Sequence, residues 1–239
     1  MTGDVATHSI VIPVYDEEQN ISPLYLSLRP VLDKIGDEYE IIFVDDGSRD
    51  RTFEELSRTA EKDTHVKVIK FRRNFGQSAA LAAGFEHATG DTVITMDGDL
   101  QNDAEDIPKL LEKLEEGYDV VCGWRKDRKD HFFRKKVPSK FFNWLASRTS
   151  GLNLHDFGCT LRVYRKDVVR NLSVYGELHR YIPALAASKG FKVDEVAVKH
   201  NPRRYGRTKY GAGRLMKGLL DLLAIRLLEK YLARPMHLF

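Results

Sequence analysis

The chain has 239 residues, enough to bury the core of one α/β domain. Its 42% hydrophobic and 31% charged residues exclude both a disordered chain and a multi-span membrane protein. A net charge of +3 is too mild to mark a nucleic-acid binder, and no nucleic-acid partner is expected. Two cysteines, Cys122 and Cys159, make neither a disulfide framework nor a zinc knuckle and are expected as small core residues. Residues 1–8 hold no apolar leader, and no run reaches the ~18 apolar residues of a membrane span.

Strand and helix signals alternate through the first half. Residues 9–14 form an apolar run that predicts a buried strand, and Leu24, Leu28, Val31, Leu32 and Ile35 have helical spacing across 21–35. A second strand is expected at 40–44, then a helix over 51–62 with Asp50 as its N-cap. A strand at 66–71, an Ala-rich helix at 78–88 and a strand at 92–96 follow. Residues 104–116 predict a helix with Pro108 near its start, where proline costs least, and 118–122 a fifth strand. The second half is less regular: helices at 141–150 and 178–188, a strand at 160–164, and a half-exposed strand at 192–198. A Gly-, Arg- and Tyr-rich loop (200–213) precedes a long amphipathic helix (215–232). Unbroken apolar strands separated by helices predict an α/β fold with a mostly parallel sheet covered on both faces. Right-handed crossovers then gather the βα loops at the carboxyl edge.

Three acidic clusters fall where strands should end: Tyr15-Asp16-Glu17-Glu18, Asp45-Asp46-Gly47-Ser48 and Asp97-Gly98-Asp99. One Asp-x-Asp alone is as readily a solvated turn. Three at one sheet edge repel unless a cation lies between them, and oxygen-only ligands favour Mg²⁺ or Mn²⁺. The chain has no G-x-x-x-x-G-K-[ST] loop and no G-x-G-x-x-G after its first strand, so a metal-bridged nucleotide held by loop carboxylates is the remaining expectation.

The series Ile12-Pro13-Val14-Tyr15-Asp16-Glu17, Val44-Asp45-Asp46-Gly47-Ser48, Asn74-x-Gly76 and Met96-Asp97-Gly98-Asp99-Leu100-Gln101 resembles the family-2 inverting glycosyltransferases. More narrowly it is similar to their polyprenyl-phosphate sugar synthases, of the dolichyl-phosphate mannose or glucose synthase type. The similarity continues through Asp156-Phe157-Gly158-Cys159, Gly176-Glu177-Leu178-His179-Arg180, Arg203-Arg204-Tyr205-Gly206-Arg207-Thr208-Lys209 and Arg234-Pro235-Met236-His237, covering nearly the whole chain. The resemblance implies a GT-A type nucleotide-sugar-binding fold. It implies a metal-dependent, inverting transfer from a nucleotide-diphosphate sugar, of the GDP-mannose or UDP-glucose type, to a polyprenyl phosphate such as a dolichyl or undecaprenyl phosphate. Pro13, Tyr15, Glu17, Val44 and Asp46 would line the base and ribose site. Asp97, Asp99 and Gln101 would hold the metal, with Gly98 between them; relatives often carry Ala there, and Gly98 is expected to leave more room. Arg125 and Arg134 would meet the acceptor phosphate, and Arg203 and Lys209 would clamp the donor phosphates. Asp99, Arg125, Arg203 and Lys209 are the expected catalytic set. The residue types suit the reaction, because a departing diphosphate must be neutralised and a phosphate oxygen is already a nucleophile near neutral pH.

Residues 125–144 interleave Arg125, Lys126, Arg128, Lys129, Arg134, Lys135, Lys136 and Lys140 with Phe132, Phe133, Phe141, Phe142 and Trp144. The pattern is read as a surface for an anionic membrane in preference to a plain solvated face. The last helix fits an interfacial helix as well as one packed on the domain. Hence the expected division is a catalytic domain over 1–211 and an amphipathic, membrane-interface helix over 212–239, with membrane spans following in relatives of this type. That places the enzyme at the cytoplasmic face of a membrane, integral if spans follow residue 239 and otherwise peripheral. Glu177 is equally an acceptor- or arginine-orienting group and a plain helix-start carboxylate. Competing readings are a family-2 enzyme with a hydroxyl acceptor, which should show a clear general base, and a nucleotidyltransferase, which lacks its Gly-rich triphosphate loop here. Sugar, base, polyprenol length, Mg²⁺ versus Mn²⁺ and oligomeric state are not encoded in any motif.

Overall fold

The apolar runs become the middle of a seven-stranded sheet. In the computed structural model, which describes residues 7–126, 152–172 and 178–205, the strands are β1 (His8–Val14), β2 (Tyr39–Asp45), β3 (Val66–Lys70), β4 (Thr92–Thr95), β5 (Val120–Trp124), β6 (Arg162–Arg165) and β7 (Val193–Ala197). Their order is β3-β2-β1-β4-β6-β5-β7. All pairings are parallel except those of β6, which runs against β4 and β5.

Side chains alternate across the pleat, so β1 feeds both faces. Ile10 and Ile12 join Leu24, Leu28 and Leu32 of α1 (Ile21–Ile35) and Leu56 of α2 (Thr52–Lys62). Val11 joins Leu81 and Phe85 of α3 (Gln77–His87) on the other face. A 3₁₀ turn (Ala104–Asp106) leads into α4 (Ile107–Glu115), with Pro108 in its first turn. The short α5 (Lys166–Asn171) follows β6, and a second 3₁₀ turn (Leu178–Tyr181) leads into α6 (Ile182–Ser188). Cys122 and Cys159 are fully buried free thiols, pushed up to about 12 and about 11 by burial, as small core residues would be.

Several local expectations shift, and one helix was not expected. The helix after β2 starts one residue late, with Arg51 at its N-cap position. Asp50 still serves it, its Oδ1 accepting from the Thr52 N–H at 3.0 Å. The fifth strand begins at Val120 because its pairing with β6 and β7 begins there. The helix at 166–171 has no periodic signal, being six residues long with two buried valines. The expected helices at 141–150 and 215–232, and the proposed boundary at 211, lie outside the described residues.

Topology places the site. From β1 the chain moves outward through β2 to β3, then crosses back by α3 to β4 on β1's other side. The carboxyl ends of β2, β1 and β4 are therefore neighbours at a topological switch point, the ligand edge of open α/β sheets.

The opposite edge is tied by Glu40, which is buried. Its carboxylate accepts from Ser9 Oγ at 2.6 Å, from Thr89 N and Oγ1 at 2.7 Å each, and from Lys67 Nζ at 2.5 Å. Burial alone would raise its pKa, but these donors bring it down to about 2. A depressed carboxylate stabilises the fold above its unfolded pKa and loses that contribution as pH falls towards the folded value. Glu40→Gln should cost ~1–3 kcal/mol near neutral pH. In urea titrations the gap to wild type should close between about pH 4.5 and about pH 2.

Candidate active site

The loops after β1 and β2 are sewn together by backbone-to-side-chain bonds. The Asp16 N–H donates to Ser48 Oγ at 2.9 Å, Arg49 N–H to Asp16 Oδ1 at 2.7 Å, and Glu17 N–H to Thr52 Oγ1 at 2.8 Å. Asp16 pays for this with a positive φ of 48°. Asp45 turns inward and accepts from the Ser48 N–H at 2.9 Å, a turn function. Asp46 accepts from Phe75 N at 2.7 Å and Gly76 N at 2.9 Å, at the start of α3. Burial pushes Asp46 above the usual carboxylate range, and those two N–H groups oppose the shift. Between them Gly47, at φ +71°, lies so close to the next loop that a Cβ would come within 2.4 Å of the Arg73 carbonyl carbon.

The loop after β4 carries the charge. Asp99 is buried, and its Oδ1 accepts from the Gln101 N–H at 3.1 Å. Its Oδ2 receives Arg203 Nη2 at 2.6 Å, while Arg203 Nη1 lies 3.4 Å from Glu17 Oε1. Burial first, and the charge of Asp97 second, lift Asp99 to about 6 against the pull of Arg203. Asp97 Oδ1 accepts from Gln77 Nε2 at 2.8 Å, at the first residue of α3. Leu100, with φ 62°, makes the bend that lets Gln101 turn back on Asp99.

Arg203 comes from a segment strapped to the same loop. Lys199 N–H donates to Asp106 Oδ2 at 2.7 Å, Asn102 bridges His200, and Asn201 N–H donates to Gln101 O at 2.9 Å. The Gln101 amide nitrogen lies 3.5 Å from Asn201 O. Arg125 forms a fork with Asp156, Nε to Oδ2 at 2.7 Å and Nη2 to Oδ1 at 2.9 Å, at the two ends of the connection between β5 and β6.

Of the residues named from the sequence, Glu17, Asp97, Asp99, Gln101 and Arg203 meet at this edge. Pro13 pairs with Val44 across β1 and β2, and Tyr15 is half-buried in the loop beyond. Val44 is fully buried with Ile42 and Ala80, so its side chain lies beneath the site. Arg134 and Lys209 lie outside the described residues, as does Glu177. Gly98 does not leave spare room: an added Cβ would meet Val14 Cγ1 at 2.6 Å, so the glycine is already filled by its neighbour.

Sequence reading missed several partners. Gln77 follows the Asn74-x-Gly76 pattern directly, and reading Gly76 as a helix N-cap would have drawn attention to it. Ser78 Oγ shares a buried 2.8 Å hydrogen bond with His179 Nδ1. Arg162 donates to the carbonyls of His179 at 2.8 Å and Phe157 at 2.7 Å. Gln77, Thr160, Arg162 and His179 line a small pocket beside Asp97. Among the described residues no three His, Cys, Asp or Glu side chains converge as a ready metal cage. A buried Asp99 lifted by Asp97 and matched by a guanidinium nevertheless has the charge demand that a hard cation would meet.

Residues 9–173 match the family described as glycosyl transferase family 2. The chain is 40% identical over 235 residues to a dodecaprenyl-phosphate galacturonate synthase from Rhizobium johnstonii, covering 97% of this chain and 70% of that protein. It is 43% identical over 215 residues to an undecaprenyl-phosphate 4-deoxy-4-formamido-L-arabinose transferase from Edwardsiella ictaluri, covering 90% of this chain and 66% of that one. Thus it spans about two thirds of the length of these relatives. Among solved structures, glucosyl-3-phosphoglycerate synthase from Mycobacterium tuberculosis with Mn²⁺, UDP and glucosyl-3-phosphoglycerate superposes with a TM-score of 0.72 at 19% identity. That match covers 92% of this chain and 80% of the other, and the same synthase with Mg²⁺ and UDP also scores 0.72. The sheet and helices are thus those of GT-A enzymes.

Two outcomes follow from the packing and charge of the Asp97–Asp99 loop. Gly98→Ala should cost ~1–3 kcal/mol in urea unfolding, and adding Val14→Ala should recover most of it. A carboxylate raised in the fold weakens stability as pH climbs through the shifted range. Metal-free Asp99→Asn should therefore melt at or above wild type near about pH 7.5, with the gap narrowing towards about pH 4.

Proposed function

The chain belongs to glycosyl transferase family 2, and on that premise we propose that it moves a sugar from a nucleotide-diphosphate sugar to a polyprenyl phosphate, inverting the anomeric centre. The observation that carries this reading is the gathering of Glu17, Asp97, Asp99 and Arg203 at the switch point, in a chain 40% identical to a polyprenyl-phosphate sugar synthase. UDP in the structural neighbours makes UDP-sugars the first donors to try, ahead of GDP-mannose.

The base and ribose would lie over the ends of β1 and β2, against Pro13, Tyr15, Glu17 and the Asp46 loop. Asp97 and Asp99, with Gln101, would hold Mg²⁺ or Mn²⁺, which when bound offsets the negative charge of the donor diphosphate. Gln77 fixes one oxygen of Asp97 and so the direction of the other. Arg203, joined by Lys209, neutralises the diphosphate as it departs. An acceptor phosphate oxygen forms the new bond to the anomeric carbon. The bond from that carbon to the diphosphate oxygen breaks, and its electron pair leaves with the nucleoside diphosphate. The nucleophile is already ionised near neutral pH, so no side chain need take a proton from it. Arg125 uses Nε and Nη2 on Asp156, so its Nη1 is the part that would meet the acceptor phosphate.

The acceptor's tail stays in the bilayer, so the carboxyl edge must reach the headgroup plane. No helix among the described residues is long and apolar enough to cross a membrane. Arg125 stands at that edge after β5, and the basic and aromatic residues to Trp144, with the amphipathic helix expected over 212–239, would rest on the anionic cytoplasmic surface.

The test is incubation with a panel of UDP- and GDP-sugars, Mn²⁺ and a short polyprenyl phosphate, with the lipid product identified by mass. A glycosylated lipid phosphate is expected, and its loss in Asp99→Asn. Transfer to hydroxyl acceptors with no lipid product from any donor would overturn the reading. Arg134→Ala, Lys135→Ala and Lys136→Ala together should weaken binding to anionic vesicles at low salt and raise the KM for lipid, leaving nucleotide affinity within about twofold.

A further inference from the structure

We propose that Arg203 is the resident counter-cation of the metal site: guanidinium and divalent metal compete for the same oxygen of Asp99, and metal entry releases Arg203 towards the donor diphosphate. The inference rests on the reading of Asp97 and Asp99 as metal ligands.

The division of labour on Asp99 carries the argument. Oδ1 already accepts from the Gln101 N–H at 3.1 Å, inside its own loop. Oδ2 is held by Arg203 Nη2 at 2.6 Å. A metal needs an oxygen lone pair, and Oδ2, the oxygen not engaged by the Gln101 N–H, is the one Arg203 covers. The guanidinium stays charged at any working pH, so this occupant does not leave by losing its proton. It leaves only when another cation replaces it. The contact is also costly to leave empty, since a buried carboxylate beside a second one requires a positive partner.

The tether makes exchange feasible without unfolding. The backbone two residues before Arg203 is fastened at Asn201 N–H to Gln101 O, and further back at Asn102–His200 and Lys199–Asp106. Pro202 stiffens the one residue between. The guanidinium can therefore swing while its segment stays docked beside the metal loop. Its second contact, to Glu17 Oε1 at 3.4 Å, is long and lies on the side where the loop after β1 would meet a nucleotide. A guanidinium displaced from Asp99 thus stays within side-chain reach of an incoming diphosphate. Metal binding and the arming of the donor clamp become one event, and metal affinity is set partly by a residue that never touches metal.

The test uses Mn²⁺ alone, titrated into nucleotide-free protein and read as free Mn²⁺ by electron paramagnetic resonance. Wild type, Arg203→Ala, Arg203→Gln and Arg203→Lys are compared, each with and without Asp99→Asn. Removing the guanidinium should tighten Mn²⁺ binding at the Asp99-dependent site by at least about fivefold. Arg203→Lys, which keeps the charge without the fork, should fall between. In the same variants, Mn²⁺-dependent UDP binding should weaken. Arg203→Gln guards against a folding defect in Arg203→Ala, with circular dichroism as the check. Unchanged or weaker Mn²⁺ binding in both neutral variants overturns the competition and leaves the metal reading standing. Mn²⁺ binding that is indifferent to Asp99→Asn throughout, or absent from all variants, overturns both.

Discussion

Two carboxylates at the head of one strand, one of them buried, cannot both stay charged without a cation close by. That constraint organises the carboxyl edge. Asp99 is pushed up to about 6 by burial and by Asp97, and the fold answers with Arg203, drawn from a segment about a hundred residues downstream. The straps at Asp106, Gln101 and Asn102 make sense as the means of delivering that guanidinium. Without them, the entropy of ordering a long side chain from a distant loop would erode most of the gain from an ion pair.

The first turn of α3 is the second organiser. Asp46 sits on the N–H groups of Phe75 and Gly76, the favoured place for an anion at a helix start. The next two residues reach outward, Gln77 to Asp97 and Ser78 to His179. One turn thereby joins the loop after β2, the loop after β4 and the turn before α6. A shift of this helix end would move Asp46 and Asp97 together, so the spacing between them is a property of the sheet and α3.

Most of the strands and the three acidic loops were legible because buried parallel strands are written as unbroken apolar runs, and loops after them as polar breaks. Crossover handedness put the βα loops at one edge, but the insertion of β6 between β4 and β5 is written in no apolar run. Partnerships were not legible in the same way. Gln77 and Asp97 are 20 residues apart and meet through the crossover of α3, while Ser78 and His179 are 101 apart and meet only because the turn before α6 packs back on α3. Asp50 missed its expected N-cap position by one residue because Arg51 still holds a non-helical conformation. Gly98 shows the limit most plainly: a small residue suggests space, yet Val14 on the neighbouring strand fills it. Packing across strands is invisible to a reading along the chain.

The reversed strand β6 has a consequence for how such a chain can change. Consecutive parallel strands must be joined by a crossover that packs on the sheet, so their connection is constrained by the layer it crosses. β5 and β6 are consecutive and antiparallel, so the connection between them leaves and re-enters at the same edge. Arg125 and Asp156 clasp its two ends with a bidentate pair, like the drawstring of a pouch. Whatever lies between that neck can lengthen or be replaced at an entropic cost that grows only with the logarithm of its length, while the register of every strand is preserved. The loops after β2 and β4, pinned by the start of α3, have no such freedom. A lineage built on this sheet can therefore exchange that connection wholesale while the loops pinned by α3 keep their geometry.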